Sequence, residues 1–230
     1  MENKSVAYNS IIRSVSYNQK EILSNIIKLY NNGEPFYCDM TYSSGKFYSE
    51  DKSDEFYVPQ PIVKLDVEPK TEDTVLIEPW GSLPFEDKSI NSIVIDLPFV
   101  IAPRTSPSLK KIDSDGNVII KRFSSYYPLD ELFRSVNHWL NEAYRVLGKD
   151  GICIFKTQSQ VSGGKQIMSS EYSWYIATKI GFYTIDEFIL IAKNRLHSGK
   201  IKHQQHARKF HSKFYVFKKC DKNINYLNFD

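Results

Sequence analysis

The segment Ser92-Ile93-Val94-Ile95-Asp96-Leu97-Pro98-Phe99 decides how the rest of this 230-residue chain is interpreted. Its first half is a short apolar run of the kind that forms a buried strand. An acid, a proline and an aromatic residue follow at once. In an open α/β sheet, ligands bind at the edge formed by the carboxyl ends of the strands. The segment therefore predicts a functional site directly after a buried strand.

The tetrapeptide 96–99 offers the groups that methyl transfer onto an amino group would use. The Asp96 carboxylate and the Leu97 carbonyl oxygen can each accept a hydrogen bond from the exocyclic amino group of a nucleobase, and Phe99 can stack on the ring. Such hydrogen bonds favour a more nucleophilic nitrogen, and alignment can then supply most of the catalysis. The competing interpretation is an ordinary turn, since Asp and Pro often end a strand.

The same pattern, an apolar run that ends in an acid, occurs four times. The predicted strands 35–38, 62–65, 75–77 and 92–95 are followed by Asp39, Asp66, Glu78 and Asp96. The periodicity also predicts helices at 18–32, 129–147 and 169–180, further strands at 152–155, 188–192 and 214–217, and a Ser/Gly/Gln loop at 157–168. Connections of this length suit parallel crossovers, so the fold class is α/β with a parallel sheet.

Length and composition indicate one globular domain, 1–230, with inserted loops at about 100–128 and 193–213. No apolar run approaches the roughly 18 residues of a membrane span. The three cysteines have no disulfide-framework or zinc spacing, which is typical of a reduced, cytoplasmic protein. The pair His203-x-x-His206 has no Cys, Asp or Glu nearby, so we expect no metal site.

Charge is divided along the chain. Residues 34–96 have a net charge of −9, and residues 97–219 have a net charge of +11. The segment 193–213 contains seven Lys or Arg, four of the five His and no acid. A basic face suits the phosphates of a nucleic acid, although a solvated loop has the same composition. The candidate phosphate contacts are Lys110, Lys111, Lys121, Arg122, Arg195, Lys200, Lys202, Arg208 and Lys209.

In order and spacing, these motifs resemble a known family over roughly residues 10–218. The chain resembles the class I S-adenosylmethionine (SAM)-dependent methyltransferases that methylate amino groups in DNA, in particular the small ones of phages and bacterial mobile elements. The matching parts are the first loop 39–47, the acids Asp66 and Glu78, the tetrapeptide 96–99, the helix-Gly-strand unit 144–151 and the segment 206–212.

The resemblance implies a Rossmann-like sheet, mostly parallel with an antiparallel last strand and helices on both faces, and SAM as cofactor. It implies that Asp39, Thr41, Gly45 and Phe47 bind the cofactor, with Thr41 and Gly45 at the methionine end of SAM and Asp39 either contacting that end or ordering the loop. It also implies that Asp66 takes the ribose, and that Glu78, with Trp80 or Phe85 as the ring neighbour, lies at the adenine. It makes Asp96, Leu97, Pro98 and Phe99 the catalytic segment. It also favours adenine N6 in DNA over cytosine N4 as the target.

Two positions depart from the family pattern: Leu97 replaces the first proline of the tetrapeptide, and Ser43 replaces a glycine of the first loop. The alternatives are methylation of RNA or of a protein amide on the same fold, or a nucleic-acid-binding domain that has lost catalysis. A dinucleotide-binding oxidoreductase fits poorly, because the first loop has one glycine. The two insertions total about fifty residues, which leaves no room for a recognition domain, so we expect loose or very short sequence preference, or a partner protein that supplies it.

Overall fold

A computed structural model of the chain describes residues 11–99, 129–193, 205–221 and 224. Eight strands form one sheet in the order β1-β9-β10-β6-β5-β2-β3-β4. Their bounds are β1 Val15–Ser16, β2 Cys38–Asp39, β3 Val63–Asp66, β4 Val75–Leu76, β5 Ile90–Ile95, β6 Leu147–Thr157, β9 Tyr183–Ile191 and β10 His211–Lys218. A separate two-stranded sheet consists of β7 Gln160–Ser162 and β8 Lys165–Ile167.

One strand of the large sheet runs against the others. β10 is antiparallel to both of its neighbours, β6 and β9. All other pairs, namely β1–β9, β2–β3, β2–β5, β3–β4 and β5–β6, are parallel. The predicted fold class is therefore confirmed: a mostly parallel Rossmann-like α/β sheet whose last strand is antiparallel.

Helices cover both faces of this sheet. The described helices are α1 Gln19–Tyr30, α2 Leu129–Val146 and α3 Ser169–Ile180. Successive side chains of a strand point to opposite faces. Val94 accordingly packs in the same cluster as the buried residues of α1, whereas Ile93 and Ile95 pack in the cluster that contains the buried residues of α2 and α3. The near-continuous apolar composition of β5 is explained by burial on both faces.

Local signals in the sequence set the helix ends. The Asn18 side chain accepts a hydrogen bond from the Lys20 amide at 2.9 Å and caps α1. α3 stops at Gly181, which has a φ of +119°. A Cβ atom at Gly181 would also lie 3.0 Å from the Tyr144 hydroxyl, so glycine is required there for both backbone and space. All three predicted helices are confirmed to within two residues at each end.

The prediction of a loop at 157–168 is wrong. Residues 147–157 form one long strand, and β7 and β8 form a hairpin directly after it. The turn Gly163-Gly164 has φ values of +56° and +72°, which two-residue hairpin turns of the primed type need. The double glycine between two polar, weakly alternating segments was the available signal.

Several residues that the sequence analysis singled out cannot be compared with the structure. The insertion 100–128, with Lys110, Lys111, Lys121 and Arg122, lies outside the described residues, as do Arg195, Lys200 and Lys202. Within the described ranges, no helix combines the length and the apolar character that crossing a membrane requires.

Candidate active site

The site lies where the order of the strands reverses. From β2 the chain proceeds outward through β3 to β4, and then returns to place β5 on the other side of β2. Such a switch point opens a crevice at the carboxyl ends of the strands, where open α/β sheets bind ligands. Asp39, the last residue of β2, is in register with Val94 of β5, so the two strands end side by side. Asp39 and Asp96 therefore flank the crevice.

Thr41 connects these two strand ends. Its hydroxyl oxygen accepts a hydrogen bond from the Asp96 amide at 2.8 Å and lies 3.1 Å from Asp39 Oδ1, to which it donates. The Thr41 amide donates to the same Asp39 oxygen at 2.8 Å. The first loop is thereby attached to the catalytic segment that the sequence predicted.

Asp39 is almost completely buried, with 1% of its surface exposed. Tyr48 donates its hydroxyl proton to Asp39 Oδ2 at 2.6 Å, so both carboxylate oxygens have partners. Burial raises the pKa of Asp39 to about 7, repulsion from Asp96 adds to the rise, and the hydrogen bonds from Tyr48 and Thr41 oppose it. The Asp39 carboxylate thus accepts hydrogen bonds that order the first loop, and both of its oxygens already have partners.

Asp66, at the end of β3, also contacts the first loop. Its Oδ2 accepts the Ser43 amide at 2.7 Å, and its Oδ1 accepts the Glu68 amide at 2.8 Å. Burial raises the pKa of Asp66, while these two backbone hydrogen bonds act in the opposite direction. Each oxygen retains a second lone pair, so the carboxylate can still accept hydrogen bonds from a ligand.

Two residues of the first loop, Ser43 and Gly45, have left-handed backbone angles, with φ of +52° and +68°. A Cβ atom at Gly45 would lie 2.4 Å from the Tyr42 hydroxyl, so only glycine fits beside that ring. Tyr42 in turn stacks on Tyr48 with ring centroids 5.6 Å apart. Ser43 takes a conformation that glycine would adopt without strain.

Asp96 has two different carboxylate oxygens. Oδ2 pairs with Lys156 Nζ at 2.9 Å, whereas Oδ1 is buried and has no hydrogen-bond partner in the described part of the chain. Buried polar atoms are nearly always paired, so a buried carboxylate oxygen without a described partner indicates a position for a hydrogen-bond donor. Asp96 is the only acid at these strand ends shown with such an oxygen among the described residues.

The rest of the tetrapeptide is anchored by its neighbours. The Leu97 side chain is buried in the cluster beneath α2, so its backbone is the part left for contact with a ligand. Pro98 and Phe99 are half-buried. The Phe99 carbonyl oxygen accepts a hydrogen bond from Gln160 Nε2 of β7, which ties the tetrapeptide to the hairpin.

Phe47, the last cofactor candidate of the first loop, lies beside Lys156, whose ammonium nitrogen is 4.8 Å from the centroid of the Phe47 ring. The preceding carbonyl, that of Lys46, accepts a hydrogen bond from Gln19 Nε2 of α1 at 3.3 Å. The N-terminal helix therefore contacts the loop that the resemblance assigns to the cofactor.

Glu78 and Trp80 lie farther from the other candidates. The Ile77 amide donates to the Asp66 carbonyl at 3.0 Å, which places Glu78 one residue beyond a direct neighbour of Asp66. Both Glu78 and Trp80 are exposed. The Trp80 ring packs edge-on against His138 of α2, with centroids 5.7 Å apart. The structure therefore gathers Asp39, Thr41, Phe47, Asp66 and Asp96 at the carboxyl ends of neighbouring strands and leaves Trp80 against a helix.

Two of the candidate phosphate contacts lie at the same edge. Arg208 is exposed and Lys209 is half-buried, and they come just before β10 begins. Because β10 is antiparallel to β6, its first residues lie at the carboxyl end of β6, near Lys156. The Lys209 carbonyl accepts a hydrogen bond from Gln158 Nε2 at 3.1 Å, and the His206 ring contacts the Gly164 carbonyl at 2.9 Å.

Two residues of the site were missed in the sequence. Lys156 directly follows the apolar run 152–155, just as Asp96 follows 92–95, and this parallel was the available signal. Tyr48 had no signal, because its contact with Asp39 depends on the path of the loop. Among the described residues, no cluster of His, Cys, Asp and Glu has a metal-binding arrangement.

No protein-family model matches the chain, and no curated protein matches it. Solved structures with a similar fold exist, all of low identity. One is a SAM-dependent methyltransferase from Archaeoglobus fulgidus, 12% identical, which covers 87% of this chain and 94% of that chain with a TM-score of 0.44. Another is a provisionally assigned methyltransferase from Haloferax volcanii, in complex with the Trm112 methyltransferase activator: 11% identical, covering 90% and 95%, with a TM-score of 0.45.

A third structure is a provisionally assigned DNA modification methylase from Thermus thermophilus, complexed with S-adenosyl-L-methionine. It is 12% identical, covers 61% of this chain and 50% of that chain, and has a TM-score of 0.37. The chain thus spans about half the length of the Thermus protein.

Proposed function

We propose that this chain is a SAM-dependent methyltransferase that methylates the exocyclic amino group of a nucleic-acid base, namely N6 of adenine in DNA, with little sequence preference. The observation that carries the proposal is Oδ1 of Asp96, a buried oxygen with no hydrogen-bond partner among the described residues. It is a buried acceptor at the strand switch point, beside a loop of the type that holds a cofactor. An amino group that donates one proton to Oδ1 and the other to the Leu97 carbonyl would satisfy it.

The residues at the crevice fit SAM. Asp66 has lone pairs left for the two ribose hydroxyls, and the first loop is already ordered by Asp39, Tyr48 and Thr41. Glu78, one residue past the neighbour of Asp66, is the proposed acceptor for the adenine amino group. When bound, SAM supplies a methyl group whose C–S bond breaks as the N–C bond to the base forms, sulfur keeping the electron pair and the amino group losing one proton to water.

The chain's own residues supply alignment. Asp96 and the Leu97 carbonyl orient the amino group so that its lone pair is directed at the methyl carbon, and Phe99 holds the ring of the base. Correct orientation alone is worth several orders of magnitude in rate. The base must leave the stack to reach the crevice, so single-stranded DNA is the easier substrate.

Support for a nucleic-acid substrate comes from the position of the basic residues. Arg208 and Lys209 lie at the same edge of the sheet as Asp96, just before β10 begins. Phosphate contacts of this kind position the substrate without reading its sequence. We therefore propose a DNA substrate held mainly through its backbone.

The test is transfer of labelled methyl from SAM to single-stranded DNA, duplex DNA and RNA, with the product nucleosides identified by mass spectrometry. We expect N6-methyladenine, with single-stranded DNA preferred, and a loss of roughly 10- to 100-fold in Asp96→Asn, in line with the loss of a charge-assisted hydrogen bond. Asp87→Asn, an exposed acid elsewhere, is the control. The absence of transfer to any nucleic acid, with SAM bound, would contradict the proposal.

A further inference from the structure

A lysine on the neighbouring strand contacts the proposed catalytic carboxylate. We propose that Lys156 is a positioning residue for methyl transfer: it holds Asp96 Oδ2, so that Oδ1 is presented to the amino group of the substrate. This inference rests on the proposed function, because it assigns a role to Lys156 in the same site.

The ion pair between Lys156 and Asp96 is short and largely buried. Lys156 Nζ lies 2.9 Å from Asp96 Oδ2, and the two side chains are only 13% and 21% exposed. Ion pairs that are fully in water contribute little, because water screens them and the side chains lose entropy. A pair withdrawn from water forms a stronger charge-assisted hydrogen bond with a defined geometry. This pair can therefore fix the rotation of the Asp96 carboxylate.

Lys156 is itself held in place from several sides. Its backbone pairs with Phe214 in the antiparallel ladder between β6 and β10. Its ammonium nitrogen lies 4.8 Å from the centroid of the Phe47 ring and 5.7 Å from that of Phe214. Both distances are within the range of a cation–π interaction. The ammonium group thus contacts two aromatic rings and Asp96 at once, which restricts its movement.

The two oxygens of Asp96 consequently have separate tasks. Oδ2 is occupied by Lys156, and Oδ1 is buried without a described partner. If Lys156 were absent, the carboxylate could turn and offer either oxygen in several orientations. Since a misplacement of about 1 Å can lower a rate by roughly 100-fold, fixing this rotation matters for the chemical step.

Lys156 also contacts both the proposed cofactor loop and the proposed acceptor segment. Phe47 belongs to the proposed cofactor loop, and Asp96 belongs to the proposed acceptor segment. Lys156 contacts both, so the orientation of Asp96 is linked to the position of Phe47 in the loop. The opposing explanation is an ion pair that only stabilises the fold. It predicts lower stability on mutation, but an unchanged turnover number in the folded enzyme.

The test compares Lys156→Met, which keeps most of the length of the side chain without the charge, with Lys156→Gln, which is shorter but keeps an N–H donor. With single-stranded DNA, we expect kcat to fall roughly 10- to 100-fold in Lys156→Met and by less in Lys156→Gln. The Kd for SAM, measured by calorimetry, should stay within about threefold of the wild type, as for an effect confined to the chemical step. Lys218→Met is the matched control. Lys218 lies on β10, at the opposite end of the β6–β10 ladder from Lys156, and it pairs with Asp150 at 3.0 Å.

A second readout does not depend on activity. Urea unfolding of Lys156→Met, Asp96→Asn and the double variant forms a double-mutant cycle. We expect Lys156→Met to shift the unfolding midpoint more when Asp96 is present than when it is replaced, because an unpaired carboxylate is then left behind. An additive cycle would overturn the inference.

The outcomes separate this inference from the proposed function. A wild-type enzyme that transfers methyl groups, with Lys156→Met within about twofold of its kcat, would overturn the role of Lys156 and leave the proposed function intact. A parallel loss of kcat and of SAM affinity would also overturn it, because the effect would then be structural. A wild type without any transfer, despite coupling between Lys156 and Asp96 in the unfolding cycle, would contradict the proposed function itself.

Discussion

The side-chain hydroxyl of Thr41 accepts a hydrogen bond from the backbone amide of Asp96 at 2.8 Å. It also donates to Asp39 Oδ1 at 3.1 Å, so one hydroxyl group spans the ends of β2 and β5. This hydroxyl group therefore connects the loop that follows β2 with the tetrapeptide 96–99 that follows β5. A change at the proposed cofactor loop is transmitted directly to the backbone of the proposed catalytic acid.

We predict that Thr41→Val lowers both stability and methyl transfer. Valine matches threonine in shape but cannot accept the Asp96 amide, and a partly buried donor left without a partner costs about 1–3 kcal/mol. The displaced Asp96 backbone should lower kcat by roughly 10- to 100-fold. Urea unfolding measures the first effect, and single-turnover methyl transfer measures the second. Thr41→Ser keeps the hydroxyl group and should stay near the wild type; equal defects in both variants would contradict the prediction.

Asp39 should make the protein less stable as the pH rises toward neutrality. Its pKa is about 7 in the folded protein, compared with an ordinary value of 3.8. The folded state therefore binds a proton more tightly than the unfolded chain, and the stability from this proton is complete below about pH 4 and is lost by about pH 7. Since one pKa unit corresponds to about 1.4 kcal/mol, we expect a loss of a few kcal/mol.

The measurement is urea unfolding of the wild type and Asp39→Asn between about pH 4 and pH 8, with the difference between the two proteins plotted against pH. The wild type should lose stability relative to Asp39→Asn across this window. Tyr48→Phe removes a hydrogen bond that lowers the pKa of Asp39, so it should move the loss to higher pH. A difference that instead favours the wild type more strongly as the pH rises would show that Asp39 is not raised in this way.

The fold could be predicted from the sequence because burial leaves a clear pattern. β5 is buried on both faces, so its run of apolar residues ends abruptly at Asp96, and the same contrast marks the ends of β2 and β3. The amphipathic spacing of α2 and the Asn18 cap of α1 gave the helices in the same way. These signals are local, and each can be recognised within a few residues.

The contacts between the strand ends could not be predicted, because they depend on register and on the path of loops. Lys156 meets Asp96 because β6 pairs with β5 so that Phe155 faces Ile95, and the matching ends of the two apolar runs are compatible with that register but do not fix it. The Tyr48 hydroxyl contacts the Asp39 carboxylate, nine positions earlier in the chain, because of the path of an irregular loop. The sequence therefore indicated the acids at these strand ends, but not the side chains that contact them.

Arg208 and Lys209 offer a test of the DNA interface that does not involve catalysis. The Lys209 carbonyl holds Gln158 through the backbone, so truncating the two side chains keeps that hydrogen bond. If both side chains contact phosphates of single-stranded DNA, Arg208→Ala/Lys209→Ala should weaken binding and reduce the slope of log Kd against log salt by about 1.4, or roughly 0.7 for each contact. Fluorescence anisotropy between about 50 and 200 mM salt measures this slope.

The control is Lys52→Ala, which changes an exposed lysine in the acidic segment 34–96 and should leave the slope unchanged. Equal slopes for the double variant and the wild type would place the phosphates on another surface.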